Sequence, residues 1–258
     1  ETNNERAISF VVGYTLRIGA QFSNVSISID DSSVETDLNG VITVSVLPGA
    51  HKVEAQSPIQ VSEGSRGLFD RWSDGDLSNP RSLNISSDTS LSVEYKIQFY
   101  LTVTGNGGVV SGAGWYDQGA TANATAVSPC NVVENQRRMV FKSWSGGFNS
   151  NSANLTFTMN SPRSLNATWT LQYYLSIASS FGNPQGEGWY NSGSTAHFSV
   201  FSPVEHGNRT RRIFLRWGGD YLGTELSGSI SMDSPKKLFA DWKTEYQLSF
   251  TAGGLPEN

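Results

Sequence analysis

Three aspartates crowd one tryptophan: Asp70, Asp74 and Asp76 lie within seven residues around Trp72. Carboxylates placed in this way are hard oxygen ligands of the kind calcium takes. Later in the chain two of the corresponding positions hold Lys142 and Gly146, and the spacing of a calcium loop is absent, so the three read as a solvated turn rather than a metal site. Catalytic groups are sparser. His51, His197 and His206 are scattered, and Cys130 has no local partner. No Gly-x-Ser-x-Gly occurs, and Ser234-Pro235-Lys236-Lys237 meets Ser-x-x-Lys only by composition. Without a nucleophile paired to a base, the chain reads as a non-enzyme that needs no cofactor.

Aromatic and arginine side chains remain. Trp115-Tyr116 and Trp189-Tyr190 each follow a glycine. Paired aromatics beside a turn either stack on sugar rings or wedge one end of a β-sandwich, and packing is the commoner use. Tyr100 and Tyr174, on the polar face of their strands, are better placed for exposed contacts. Arg66, Arg138 and Arg211 form either a ligand ladder or a structural stack, each arginine stem lying over the tryptophan six residues on, at Trp72, Trp144 and Trp217. The structural stack is the expectation, because residues present in every repeat usually build the repeat.

Those residues recur because the chain is a tandem repeat. Arg-x-x-Phe-x-x-Trp appears as Arg66/Phe69/Trp72, Arg138/Phe141/Trp144 and Arg211/Phe214/Trp217, offset by 72 and then 73 residues. Each tryptophan is followed by a small, Gly-rich turn. Gly-Trp-Tyr-x-x-Gly stands at Gly114–Gly119 and Gly188–Gly193, and Ser-Pro recurs at Ser57-Pro58, Ser128-Pro129 and Ser202-Pro203. Phe69, Trp72, Phe141, Trp144, Phe214 and Trp217 are the expected repeat core. Strict alternation puts a Phe and a Trp three residues apart on opposite faces, so either a β-bulge separates them or both faces are covered.

Residues 165–177 alternate apolar and polar without a break, the pattern of one long half-buried strand, and the pattern recurs at 91–103 and 238–250. At about 3.3 Å per residue such a strand is roughly 43 Å long, too long for one small sheet, so it ends one module and opens the next. Shorter strands are expected at 121–127, 138–144, 154–159, 195–201, 211–217 and 228–232, and no window has capped helical spacing. The predicted fold is all-β: tandem small, Ig-like β-sandwich modules joined end to end by long shared strands, hence an elongated molecule. The modules are 14–98, 99–172 and 173–245, with an orphan strand in 1–13 and the start of a fourth module in 246–258.

The combination of Gly-Trp-Tyr-x-x-Gly, the Arg-x-x-Phe-x-x-Trp turn and a closing alternating strand resembles the β-rich tandem repeats of archaeal cell-surface and secreted proteins, themselves similar to bacterial surface repeats. The first module, which lacks Gly-Trp-Tyr, resembles a PEGA-type module through Val25-Ser26-Ile27-Ser28-Ile29-Asp30 and Val46-Leu47-Pro48-Gly49-Ala50-His51. The resemblance implies surface roles: stalk, adhesin, surface-layer component or appendage of a secreted hydrolase.

Composition agrees with this. A net charge of −5 without a long basic run excludes a nucleic-acid footprint, and no apolar stretch is long enough for a spanning helix. Six Asn-x-Ser/Thr sequons, at Asn24, Asn84, Asn123, Asn154, Asn166 and Asn208, are candidate glycosylation sites on an extracellular surface. Glu1 opens a polar run without a signal-peptide pattern, which implies a processed chain or a piece of a longer one. Ile8, Phe10 and Val12 match the closing half-strand of a module, and either belong to a preceding module or are donated to another subunit. The expected function is an extracellular structural rod that spaces, displays or assembles, with itself, head to tail, as partner. The alternatives are a binder of cell-surface glycans or glycoproteins and an accessory region of a secreted hydrolase.

Overall fold

The computed structural model describes residues 12–251 and 253, and among them there is no helix. Alternation becomes strand where it was expected. The long strands are Thr89–Asn106 and Arg163–Ala178, which run across positions 98/99 and 172/173 without interruption. The third copy, Lys236–Tyr246, is shorter than its pattern, because residues 247–250 are not in strand. Alternating residues form a strand only when neighbouring backbone pairs with them, and beyond Tyr246 no described strand does so.

The chain divides into two compact units. One takes in the described residues up to Val103 together with Gly112–Ala124 and Thr156–Leu165. Its first repeat is a β-sandwich. Tyr14–Ala20 pairs antiparallel with Val41–Val46 and parallel with the start of Thr89–Asn106, so the first and last strands of the repeat lie side by side. Ser65–Trp72 covers the other edge of that long strand. The facing sheet orders Ser32–Glu35, Ser26–Ile29, Gly49–Ala55 and Arg81–Ile85. Asp30 and Asp31, both with positive φ, close its two-residue hairpin. Leu16, Ile18, Ile27, Val53, Trp72, Ile85 and Val93 fill the space between the sheets and are buried.

The other unit takes in Thr104–Ser111, Thr125–Leu155 and the described residues from Asn166 onward. In its third repeat the opening strand again pairs parallel with the closing one, Leu175 opposite Lys236 and Ile177 opposite Leu238. Thr195–Ser199 and Ser227–Ser231 form the facing pair. Between the layers lie Leu175, Ala196, Phe198, Trp217, Met232 and Leu238.

A bulge sets the core motif. The pairing of Ser65–Trp72 with the long strand shifts register between Phe69 and Arg71, and that of Thr210–Gly219 between Phe214 and Arg216. One extra residue restores both aromatics to the same face. Phe69 and Trp72 then touch at 5.7 Å between ring centroids, Phe141 and Trp144 at 5.6 Å, and Phe214 and Trp217 at 5.4 Å. All three tryptophans are buried. The repeated Ser-Pro serves this bulge: the Ser57, Ser128 and Ser202 hydroxyls accept the backbone N–H of Phe69, Phe141 and Phe214 at 3.0, 2.9 and 2.9 Å.

Candidate functional site

The bulge also determines where the repeated arginines go. Arg66 lies three residues before Phe69, hence on the opposite face, and the extra residue after Phe69 keeps Trp72 on the core side. The expected stack of each arginine over the tryptophan six residues on is therefore overturned. Arg66 lies on the outer face of the sheet, opposite Gln98. On the far side of the same long strand runs Gly114–Asp117, antiparallel, with Asp117 opposite Gln98 and Trp115 opposite Tyr100.

Five side chains thus share one outer face. Arg66 donates its Nε–H to Gln98 Oε1 at 2.9 Å, and Gln98 Nε2 donates to Asp117 Oδ1 at 2.7 Å. The Arg66 guanidinium lies 4.2 Å from the centre of the Trp115 ring, a cation–π stack, and Tyr100 meets Trp115 edge-on at 5.1 Å. Tyr116 points to the other face and donates its hydroxyl to the Gly112 carbonyl at 2.8 Å. Gly112 has a φ of +107°, and a Cβ there would sit 2.1 Å from the Asn123 carbonyl oxygen, so only glycine lets the loop approach this closely.

The arrangement is built a second time. Arg138 donates to Gln172 at 2.8 Å, Gln172 to Asn191 Oδ1 at 2.9 Å, and the guanidinium lies 4.5 Å from the centre of Trp189. Tyr174 meets Trp189 at 5.1 Å. Here the Tyr174 hydroxyl also donates to Glu187 Oε1 at 3.0 Å, which pushes its pKa above the ordinary tyrosine value. In both copies the arginine and glutamine precede a boundary expected between repeats, at 98/99 and 172/173, and the tryptophan follows it, which makes the site a junction of those expected repeats.

The third arginine has the same strand partner and, among the described residues, no ring over its guanidinium. Arg211 faces Glu245, the counterpart of Gln98 and Gln172, and binds its Oε2 at 3.0 Å through Nε. Lys243 binds the other oxygen at 2.9 Å, and the two cations hold the carboxyl below its ordinary value. At the entry to the first repeat, Val41–Val46 occupies the place of Gly-Trp-Tyr and puts Ser45, opposite Thr15, where Trp115 and Trp189 stand.

The glutamines and their Asp/Asn partners were missed in the sequence, although Gln98, Gln172 and Glu245 each stand immediately before an aromatic-x-Leu motif, at Phe99, Tyr173 and Tyr246. Among the other candidates, Asp70 is bound by Lys96 and Arg71, and Asp74 and Asp76 by Arg81. Cys130 is buried. All six sequon asparagines are exposed. Ile8 and Phe10 lie outside the described residues, whereas Val12 is exposed.

Residues 99–172, the second repeat, match the family described as a divergent InlB B-repeat domain. Domains of that type occur in surface or secreted proteins. No curated protein and no solved structure matches the chain. The matched repeat begins at Phe99, immediately after Gln98, and ends at Gln172. It therefore contributes Trp115 to the junction at its start, and Arg138 with Gln172 to the junction at its end.

Proposed function

We propose that this chain is a non-enzymatic, extracellular structural array in which β-repeats of surface-protein type are clipped in series by Arg–Gln–Trp junctions, so that it spaces or displays what it carries. The observation that carries the reading is the duplication of the junction with the same kinds of donor and acceptor at closely similar distances, on the outer face where core packing does not demand it. A stacked cation, a hydrogen-bond chain and a tight glycine loop spend specific residues on holding one repeat to the next. The first repeat serves in this reading as a PEGA-type module of the array. Glycans on the exposed sequons suit the same surface.

The glycan-binding alternative would use Trp115 and Trp189. Each ring already has a guanidinium over it and a tyrosine against it, so a sugar would have to displace an arginine. A glycan array on the chain, run beside Arg138→Ala, separates the two. Binding by the unaltered chain would refute the structural reading, and no binding by either form, together with a destabilised Arg138→Ala, would support it.

A further inference from the structure

We propose that the second repeat carries a docking site for an extended acidic peptide segment, which inserts a phenylalanine ring into a groove bounded by Gly107, Val132, Met139 and Leu171. The proposal goes beyond the junction reading and uses none of its side chains.

One repeat lacks a ring that the other two supply for themselves. The aromatic-x-Leu motif opens the repeats at Tyr14, Phe99 and Tyr173, and eight residues on stand Phe22, Gly107 and Phe181. Phe181 packs edge-on against Trp242 at 5.9 Å and against His206 at 6.3 Å between ring centroids, with the Arg212 guanidinium 4.9 Å from its centre. Phe22 packs edge-on against Tyr95 at 6.2 Å. Tyr95 is the counterpart of Trp242, since each stands opposite the phenylalanine of the Arg motif, Phe69 or Phe214. At the second repeat's counterpart, Trp169, the loop brings glycines instead, and a Cβ on Gly108 would sit 2.3 Å from the indole.

The vacated place is a groove of about 480 Å³, lined by Gly107, Val132, Val133, Arg137, Met139 and Leu171. Met139 leans toward it, its methyl 2.7 Å from where a Gly107 Cβ would stand, yet Val132 and Val133 remain 53% and 36% exposed. Three lining positions differ together from the third repeat: Val132 stands for His206, Met139 for Arg212 and Leu171 for Thr244. The repeat without its own ring is thus the one with the apolar lining. Burying that lining takes a ring from elsewhere, and a methionine thioether is suited to meet a ring edge.

The rest of the occupant follows from the rim. Among the described strands Cys130–Val133 pairs only with Arg137–Gly146, so its other edge is open to an extended backbone. Arg137 is the charged residue of the lining and has no acidic partner among the described residues, so Asp or Glu beside the phenylalanine complements it.

The full chain, labelled with nitrogen-15, is titrated with acetyl-Thr-Asp-Thr-Phe-Thr-Asp-Thr-amide, and with peptides in which Phe is replaced by Ala or both Asp by Lys, while amide shifts are read by NMR. The Phe peptide should move the amides of residues 131–133, 137, 139 and 171 with a dissociation constant on the order of 1 mM; the Ala peptide should bind at least about tenfold more weakly, and the Lys peptide about threefold more weakly at low salt. Val132→Asp, at an exposed position, should abolish these shifts and leave the remaining amides in place. His206→Asp should leave binding unchanged, because Phe181 already fills the third repeat's site. No shift at about 10 mM peptide, equal binding by the Phe and Ala peptides, or a His206→Asp as damaging as Val132→Asp overturns the proposal. So does acetyl-phenylalanine-amide binding as tightly as the peptide, which would make the occupant a small aromatic molecule. Concentration-dependent movement of the same amides without peptide overturns it too, since the occupant would then be a second copy.

Discussion

Arg138→Ala and Trp189→Ala, singly and together, measure what the junction is worth. The guanidinium lies 4.5 Å from the ring centre and is half-buried, a geometry in which a cation–π contact contributes about 1 kcal/mol. Arg138→Ala also loses the charged hydrogen bond to Gln172, so it should cost about 2 to 3 kcal/mol in all. Trp189→Ala removes the same stack together with the Tyr174 contact, worth about 0.5 to 1.5 kcal/mol beyond area. The double variant should therefore be less destabilised than the sum of the singles by about 1 kcal/mol. Arg66 with Trp115 is an internal replicate and should give the same coupling. Arg211→Ala is the control: its exposed pairing with Glu245 contributes well under about 1 kcal/mol and fades with salt. Native-state hydrogen exchange at residues 172–175 reads the local free energy without averaging it over the other repeats. A coupling below about 0.3 kcal/mol, or an Arg211→Ala as costly as Arg138→Ala, would refute the reasoning.

Other perturbations test the supporting structure. Trp217→Ala empties a fully buried site against Phe198 and Phe214 and should cost about 3 to 5 kcal/mol, seen by calorimetry as a lowered third-repeat transition. Ser128→Ala deprives the Phe141 N–H of its acceptor at the bulge and should cost about 1 kcal/mol in denaturant titration. His51 faces two acceptors, Asp30 Oδ2 at 2.5 Å and the Leu47 carbonyl at 2.7 Å, which raise its pKa above 6.5 while Asp30 is held below 3.8. The raised histidine contributes fully below 6.5 and loses its contribution as pH rises through its folded value; the lowered aspartate contributes above 3.8 and loses it as pH falls. The first repeat's melting temperature should thus fall as pH rises above 6.5, and His51→Ala should flatten that fall.

The division between what was legible and what was not follows from the range of the interactions. Period-two alternation is a property of neighbouring residues, so the long strands across positions 98/99 and 172/173, the all-β class and the repeat itself could be read from the chain. The conflict between Phe69 and Trp72 even left two ways out, a bulge or two covered faces, of which the structure takes the bulge. Which face Arg66 takes was beyond that reading, because the bulge inverts the alternation that any spacing argument relies on. Its ring partner, Trp115, comes from a strand hydrogen-bonded on the far side of Thr89–Asn106, a neighbour only tertiary pairing supplies. The same dependence explains residues 247–250. Their alternation is as regular as that of residues 99–103, yet it yields no strand, since a pattern proposes the faces and only a paired backbone makes the strand.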